Sequence, residues 1–195
     1  MRVIAGLYKG RKLRTLPGTQ IRPTSDRLRE AIFNVLFGKV EGRSFLDVCA
    51  GSGAVGIEAL SRGAAEVVMV EPAAIAVQVI RENLRKCQAE MKVKVLCMDA
   101  LKALKLLIRK HLSYELIYFD PPYDAGLYLP VLRLIASNEI LSEKGILMVE
   151  HRSRYGLLEK VGRLQCYRKL KQGSSEVSFY SYAENLAADS GTDGD

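Results

Sequence analysis

The chain of 195 residues contains no tryptophan, only two histidines and only four cysteines. The cysteines are Cys49, Cys87, Cys97 and Cys166, and no two of them form a C-x-x-C pair. This spacing favours neither a zinc site nor a disulfide framework, so no bound metal is predicted. Two of them lie in apolar, strand-like runs, and we expect all four to be small buried residues in a reducing compartment.

Long apolar runs are also missing. None approaches the roughly 18 residues that a membrane-spanning helix needs, and the first residues lack the pattern of a signal peptide. Hydrophobic residues nevertheless make up 48% of the chain, which is enough for the core of one domain. We therefore expect a soluble, monomeric protein of the cytoplasm with no membrane partner.

The excess of positive charge is confined to two stretches. The net charge is +7, yet residues 1–30 hold eight basic and two acidic side chains, and residues 151–172 hold seven basic side chains against Glu159. The remaining segments together carry a charge of −5. Such clustering favours a polyanionic partner, above all a nucleic acid, while two solvated surface faces are the alternative.

Short β-branched runs alternate with amphipathic segments of helix length from about residue 44 to residue 150. The predicted strands are 44–49, 66–70, 93–98, 116–119, 146–150, 164–171 and 177–182, and the predicted helices are 53–62, 73–90, 100–111 and 128–137. This alternation predicts an α/β fold with a seven-stranded, mostly parallel sheet and helices on both faces. The last strand should run antiparallel, because the link 172–175 is short enough for a hairpin.

Three regions are predicted along the chain. Residues 1–40 form a basic extension, with a small hairpin around Gly6 to Arg11 and a helix over 24–37 that Thr24 or Ser25 caps. Residues 41–183 form the α/β domain. Residues 184–195 are small, polar and acidic, which is typical of a disordered tail.

A glycine-rich loop follows the first predicted strand and runs from Asp47 to Gly56. The spacing Gly51-x-Gly53-x-x-Gly56 also fits a dinucleotide site, so the loop alone allows either a nicotinamide cofactor or S-adenosylmethionine. Asp47 favours the second, because a carboxylate there can meet the cationic amino-acid end of S-adenosylmethionine but would repel a pyrophosphate. In the alternative interpretation Asp47 only caps amides of a tight strand–helix turn.

Two more carboxylates end neighbouring predicted strands. Glu71, before Pro72, can accept hydrogen bonds from both hydroxyls of a ribose, or it can cap the helix that follows. Asp99, before Ala100, can meet an adenine amine, or it can be an ordinary helix cap. Ligands of parallel sheets bind beyond the carboxyl ends of the strands, where these residues lie.

The strip Asp120-Pro121-Pro122-Tyr123 follows the buried strand Ile117-Tyr118-Phe119. The two prolines remove N–H donors and leave carbonyls that need an external partner, and Asp120 adds a carboxylate acceptor. An exocyclic base amine offers two N–H donors to such a cluster, while Tyr123 offers a flat face on which the base can stack. Methyl transfer from a sulfonium then needs mainly in-line positioning, without a metal or a covalent nucleophile.

The strip resembles the D/N-P-P-Y motif of methyltransferases that act on amino groups of adenine, guanine or glutamine. More widely, residues 2–182 resemble the RsmD family, bacterial-type enzymes that form N2-methylguanine at nucleotide 966 of 16S rRNA. The resemblance is carried by 2–6, 9–13, 22–30, 33–34, 46–56 and 58–64, of which the block Arg22-Pro23-Thr24 is the most specific. Pro72 and the acidic tail depart from the pattern, and a plant organelle relative, which would work in the stroma, would share the motifs.

The resemblance implies a Rossmann-like class I methyltransferase fold, with S-adenosyl-L-methionine as cofactor and 16S rRNA, within a small-subunit assembly particle, as partner. The catalytic residues would be Asp120, Pro121, Pro122 and Tyr123. The cofactor-binding residues would be Asp47, Ala50, Gly51, Ser52, Gly53, Glu71, Pro72, Asp99 and Ala100. The candidates for RNA phosphate contacts are Arg11, Lys12, Arg22, Arg27 and Arg29, some of which could instead pair with Asp26 or Glu30.

Other functions fit the sequence less completely. DNA adenine-N6 methylation would use the same strip but usually adds a target-recognition domain, for which 195 residues leave little room. Glutamine methylation of a release factor generally has Asn where this chain has Asp120. A nicotinamide oxidoreductase would explain only the glycine loop, and a non-catalytic RNA-binding module would explain only the charge.

Overall fold

The alternation of strands and helices that the sequence predicts is present in the computed structural model, which describes residues 1–16 and 25–189. The helices are α1 (Asp26–Val35), α2 (Ala54–Ser61), α3 (Ala74–Cys87), α4 (Ala100–Arg109), α5 (Tyr128–Ala136) and α6 (Ala183–Asp189). The strands are β1 (Ser44–Val48), β2 (Glu66–Val70), β3 (Val93–Leu96), β4 (Tyr114–Phe119), β5 (Leu141–Arg152), β6 (Lys160–Val161), β7 (Leu164–Gln172) and β8 (Ser175–Tyr182).

The strands form one sheet in the order β3-β2-β1-β4-β5-β8-β7-β6. The first five are parallel to one another, and β8 joins β5 antiparallel, as the short link before it predicted. The sheet has eight strands where the sequence predicted seven. The additional strand, β6, pairs only two residues with β7, which is too short a run to give a pattern of alternation.

Each face of the sheet carries its own apolar core. The side chains of α1, α2 and α3 pack on one face, around residues such as Phe33, Ile57 and Ile80. The side chains of α4 and α5 pack on the other face, around residues such as Leu104 and Ile135. Cover on both faces buries all but one residue in each of β1, β2 and β4, which explains why these parallel strands read as continuous apolar runs.

The N-terminal arm, residues 1–16, docks against α2. The hairpin predicted there is reduced to one antiparallel bridge between Arg2 and Lys12. The backbone N–H groups of Ile4 and Ala5 instead donate to the two carboxylate oxygens of Glu58, at 2.8 and 3.1 Å. The arm therefore satisfies its backbone both against α2 and within itself, since the Val3 N–H donates to the Arg11 carbonyl at 3.0 Å and the Leu13 N–H donates to the Met1 carbonyl at 3.1 Å.

Helix α1 lies within the region 1–40 that the sequence predicts as a basic extension. Ser25 is its cap, because its Oγ accepts a hydrogen bond of 3.1 Å from the N–H of Leu28. The alternative cap, Thr24, and the predicted phosphate contact Arg22 lie outside the described residues.

Two local predictions differ from the structure. Helix α6 covers residues 183–189, where the composition predicted a disordered tail from 184, and residues 190–195 are not described. The cysteines are not all buried, since Cys97 is exposed just beyond the end of β3, and Cys49 and Cys166 are half-buried. None of the helices in the described ranges is long and apolar enough to cross a membrane.

Candidate active site

The carboxyl ends of four parallel strands meet at one edge of the sheet. The N–H of Ala50, just after β1, donates to the carbonyl of Val70 at the end of β2, at 2.9 Å. The N–H of Asp120, just after β4, donates to the carbonyl of Val48 at the end of β1, at 3.2 Å. The glycine loop and the Asp120 strip therefore lie side by side at the point where the strand order reverses, between β1 and β4.

A carboxylate fixes the backbone of the glycine loop. Gly51 has a φ of +56°, and a Cβ added there would meet nothing within 4 Å, so the backbone faces open space. The N–H of Gly51 donates to Oε2 of Glu71 at 2.9 Å, while Oε1 of Glu71 accepts from the N–H of Ala73 at 3.0 Å. Glu71 thus fixes the loop from the end of β2, a role that the sequence did not indicate.

Three of the predicted carboxylates converge on Cys49. This residue has a φ of +68°, which is unusual for a residue other than glycine, and it turns the chain between β1 and the loop. Burial raises the pKa of its thiol, and Glu71, Asp120 and Asp47 raise it further. The thiol is therefore neutral, and the carboxylates that act on it favour ligand groups that donate hydrogen bonds or carry positive charge.

Asp47 lies behind the loop. Its side chain is buried, with only 1% of the residue exposed, and its Oδ2 accepts a hydrogen bond of 2.9 Å from the N–H of Gly56 in α2. Burial raises its pKa to about 7, against the lowering effect of the Gly56 hydrogen bond, and Glu71 adds to the increase. This geometry corresponds to the capping interpretation of Asp47, and it ties the first turn of α2 to β1.

Asp99 caps α4. Its Oδ1 accepts from the N–H of Lys102 at 2.9 Å, and its Oδ2 lies 3.1 Å from the Lys102 Nζ. The hydrogen bonds from Lys102 lower the pKa of this carboxyl. Ala100 is buried and Pro72 is exposed at the same edge of the sheet. Asp99 therefore lies beyond the carboxyl end of β3, as predicted, and its carboxylate contacts the first turn of α4.

The strip after β4 ends in an aromatic ring that two neighbouring strands hold. Tyr123 is half-buried, and its hydroxyl lies 3.4 Å from the Oγ of Ser175. The Cζ of Arg152 lies over the ring, 4.7 Å from the ring centroid. Arg152 and Ser175 face each other across β5 and β8, so this pair of strands sets the position of the ring. Burial raises the pKa of Tyr123.

A buried acid lies beneath this strip. Glu150 in β5 is 3% exposed, and its Oε2 accepts a hydrogen bond from the hydroxyl of Tyr118 in β4. The hydroxyl of Tyr128 in α5 donates to the Glu150 carbonyl at 3.2 Å. Sequence reasoning gave Glu150 no role, although a glutamate at the end of an apolar strand is a signal of a buried polar contact.

The structure places the predicted phosphate contacts in different environments. Arg27 and Lys12 are exposed. Arg11 donates to the carbonyl of Lys86 at 2.6 Å and lies over the ring of Tyr8. The prediction for Arg29 is wrong, because its side chain is completely buried.

Arg29 belongs to an internal charge network. It donates to Asp26 at 3.0 Å, and its Nε lies 3.7 Å from a carboxylate oxygen of Glu58, whose side chain is also fully buried. Glu58 in turn lies 2.8 Å from Arg62. The network joins α1, the arm and α2, so Arg29 has a structural role and cannot reach a phosphate.

The edge as a whole fits a nucleoside with a cationic end better than it fits a metal. In residues 1–16 and 25–189, no group of three or more His, Cys, Asp or Glu side chains is placed to hold a metal ion. The loop at Gly51 offers open backbone, and the acids Glu71, Asp99 and Asp120 offer acceptors beyond the ends of β2, β3 and β4, on either side of β1. These are the groups that hydroxyls, an ammonium and amines require.

Comparison with known proteins places the chain in a family. A family model described as Conserved hypothetical protein 95 matches residues 1–181. A Bacillus subtilis (strain 168) protein with a provisional name as an rRNA methyltransferase, YlbH, is 37% identical over 92% of this chain and 98% of its own length. Ribosomal RNA small subunit methyltransferase D of Escherichia coli (strain K12) is 31% identical over 99% of this chain and 94% of its own length.

A solved structure agrees with these relatives. The Escherichia coli protein yhhF, which carries a provisional methyltransferase name, is 31% identical and superposes with a TM-score of 0.82 over 93% of this chain and 97% of its own. Sequence and fold thus agree over almost the whole length of both proteins. The chain belongs to the RsmD family of methyltransferases, the family whose model is described as Conserved hypothetical protein 95.

Proposed function

We propose that this protein transfers a methyl group from S-adenosyl-L-methionine to the exocyclic N2 of a guanine in 16S rRNA, with guanine 966 as the target that the family resemblance suggests. The observation that carries this proposal is the position of Asp120–Tyr123. The strip leaves the end of β4 directly beside the end of β1, from which the glycine loop begins. A donor in the loop and an amine on the strip are therefore neighbours.

The residues around the loop bind the methyl donor. S-adenosyl-L-methionine supplies a methyl group on a sulfonium, which is already electrophilic. Gly51 presents open backbone to it, beside Ala50, Ser52 and Gly53, and Glu71 accepts from ribose hydroxyls while it holds Gly51. Pro72, Asp99 and Ala100 line the nucleoside end. Asp47 acts from behind, because it fixes α2 and the loop without facing the cleft.

The strip binds the target amine. The Asp120 carboxylate and the carbonyls beside Pro121 and Pro122 accept the two N–H groups of an exocyclic amine, since neither proline offers a competing donor. Accepting both hydrogens directs the nitrogen lone pair out of the base plane, toward the methyl group. Tyr123 stacks on the base, which is flipped out of its helix or already unpaired.

The basic stretches support RNA as the substrate. Helix α1 packs beside β7, so residues of the two stretches lie on neighbouring elements. Arg27 on α1 and Arg168 on β7 are exposed, and Arg152 lies at the Tyr123 ring. The relatives named above carry rRNA methyltransferase names, which agrees with a substrate in a small-subunit assembly particle in the cytoplasm. A single copy of the chain contains every proposed site residue, in agreement with a monomer.

Those names give no support to DNA adenine methylation or to nicotinamide chemistry. Asp120 also argues against glutamine methylation, which generally uses Asn at this position. The site can therefore be tested directly against RNA. Purified protein is incubated with labelled S-adenosyl-L-methionine and either free 16S rRNA or small-subunit particles, and the modified nucleotide is mapped. We expect N2-methylguanine at one position, and label on an adenine would contradict the proposal.

A further inference from the structure

A buried asparagine in α3 connects the glycine loop with the N-terminal arm. Asn83 is 0% exposed, and its side-chain amide makes three hydrogen bonds to backbone groups. Its Nδ2 donates to the carbonyl of Ser52 at 3.0 Å and to the carbonyl of Arg14 at 3.0 Å. Its Oδ1 accepts from the N–H of Arg14 at 2.7 Å. One side chain thus holds two segments that are far apart in the sequence.

The two segments belong to different parts of the proposed site. Ser52 lies in the glycine loop, next to Gly51, whose backbone is open to the cleft. Arg14 lies near the end of the arm, from which the chain continues toward Arg22. Met1 extends the same contact, because the Leu13 N–H donates to its carbonyl at 3.1 Å and its Sδ lies 3.9 Å from the Ser52 Oγ. The arm therefore contacts the loop directly through Met1 and indirectly through Asn83.

These hydrogen bonds, and not the helix propensity of asparagine, explain why position 83 carries this residue. Asparagine is a poor residue for a helix interior, less favourable there than alanine. A buried amide is tolerated only where its donors and acceptor find partners, and here all three find backbone groups. Loss of the amide would leave three backbone groups without their present partner, and two of them belong to Arg14.

We infer that Asn83 is a positioning residue that couples the methyl-donor loop to the arm, so that the methyl donor and the RNA strengthen each other's binding. The inference rests on the proposed function. A donor that orders the loop fixes the Ser52 carbonyl, which orients the amide of Asn83 and with it the backbone of Arg14. Coupling of this kind is reciprocal, so RNA on the arm must strengthen donor binding by the same factor.

The test measures that factor. The affinity for S-adenosylhomocysteine is determined by calorimetry with and without a 16S rRNA fragment, in the wild type and in two variants, Asn83→Ala and Asn83→Asp. The control is Glu82→Ala, which removes the 2.6 Å ion pair between Glu82 and the Arg14 side chain but leaves the three bonds of Asn83 in place. We expect RNA to raise the wild-type affinity by about fivefold or more, which is the usual lower range of such coupling.

The expected result is a coupling factor near one in both Asn83 variants and a wild-type factor in Glu82→Ala. A merely structural role would weaken each ligand separately and leave the ratio unchanged, and that outcome would overturn the inference. If the wild type binds no RNA at all, the proposed function fails instead. Hydrogen exchange of the wild type gives a second measurement, since S-adenosylhomocysteine should slow exchange at the Arg14 N–H, and unchanged exchange there contradicts the coupling.

Discussion

The guanidinium of Arg152 lies over the ring of Tyr123, with its Cζ 4.7 Å from the ring centroid. The planar cation covers a face of the ring on which the target base is proposed to stack. Arg152 has no carboxylate within 4.0 Å among the described residues, so no ion pair holds it there. We expect the arriving base to displace the guanidinium, whose charge then lies beside the phosphate of the same nucleotide.

Replacement of Arg152 should therefore affect RNA more than the methyl donor. In Arg152→Ala we expect the KM for RNA to rise about tenfold, and the slope of log affinity against log salt to fall by about one, because one phosphate contact is lost. Turnover at saturating RNA and the affinity for S-adenosylhomocysteine should stay within about twofold of the wild type. Arg133→Ala, an exposed arginine on α5, is the matched control. Equal effects of the two changes would exclude a contact at Arg152.

Asp120 should be required for methyl transfer and not for donor binding. In Asp120→Ala we expect turnover to fall by about 10²–10³ or more, the range for loss of one essential polar group at a reacting centre. Asp120→Asn retains an oxygen acceptor and should keep more activity than the alanine variant. Calorimetry with S-adenosylhomocysteine should give affinities within a few-fold of the wild type for both. Near-normal turnover in Asp120→Ala contradicts the proposed mechanism.

Arg27 and Arg29 are two residues apart and should behave in opposite ways. Arg29→Ala removes a completely buried cation beside Glu58, and we expect it to lower the free energy of unfolding by about 3 kcal/mol. Arg27→Ala changes an exposed side chain and should leave stability within about 0.5 kcal/mol, while it weakens RNA binding and its salt dependence. Denaturant unfolding and RNA titration of both variants separate the two roles, and a stable Arg29→Ala protein would show that the buried network is dispensable.

The buried carboxyl of Asp47 should make stability depend on pH. Burial raises its folded pKa from 3.8 to about 7, so the folded protein retains this proton between those values while the unfolded chain loses it. Stability from this group is therefore highest below about pH 4 and falls as the pH rises to 7. Asp47→Asn keeps the oxygen that accepts from Gly56 but cannot ionise. The difference in unfolding free energy, variant minus wild type, should rise over this range by as much as about 4 kcal/mol.

Because the wild type and Asp47→Asn differ only at this residue, the contributions of other titrating groups to the unfolding free energy cancel in the difference. Unfolding curves measured at pH 4, 5.5 and 7.5 are sufficient. Parallel stability profiles of the wild type and Asp47→Asn would mean that folding leaves the pKa of Asp47 near its ordinary value, as for a carboxylate exposed to solvent.

Two glycines of the arm provide a matched pair. Gly6 and Gly10 have almost the same φ, +80° and +82°, so alanine is strained to a similar degree at both. At Gly6 the added Cβ would also lie 1.7 Å from the carbonyl oxygen of Ser61, whereas at Gly10 it would meet nothing within 4 Å. We expect Gly10→Ala to cost about 1 kcal/mol and Gly6→Ala about 3 kcal/mol or more, because backbone must move. Similar losses in the two variants would mean that the arm does not dock on α2.

The parallel half of the sheet could be predicted from the sequence because burial on both faces leaves continuous apolar runs in β1, β2 and β4. The strip at Asp120 and the glycine loop could then be placed at the same edge of the sheet, because each follows the carboxyl end of one of these parallel strands. Strand β6 could not be found, since its two residues carry no period.

Contacts between distant segments were the least accessible to sequence reasoning. Nothing in the local pattern of α2 shows that Glu58 receives the N–H groups of Ile4 and Ala5. The number of charges in a stretch carries no information on burial, so the sequence alone predicts Arg29 at the surface. Asp26, three residues before it, is nevertheless a signal of pairing. Asparagine is a poor helix former, so Asn83 inside a regular helix is a weak signal of a specific side-chain contact.

The docking of the arm also sets an order of events during synthesis. Its partners are made long after it, since the partner of Ile4 is 54 positions later and the partner of Arg14 is 69 positions later. The arm is translated before these partners, so it has no surface to bind until α2 and α3 have followed and formed. The arm therefore reaches its final place only after α2 and α3 have formed, and until then its basic side chains are exposed to any RNA nearby.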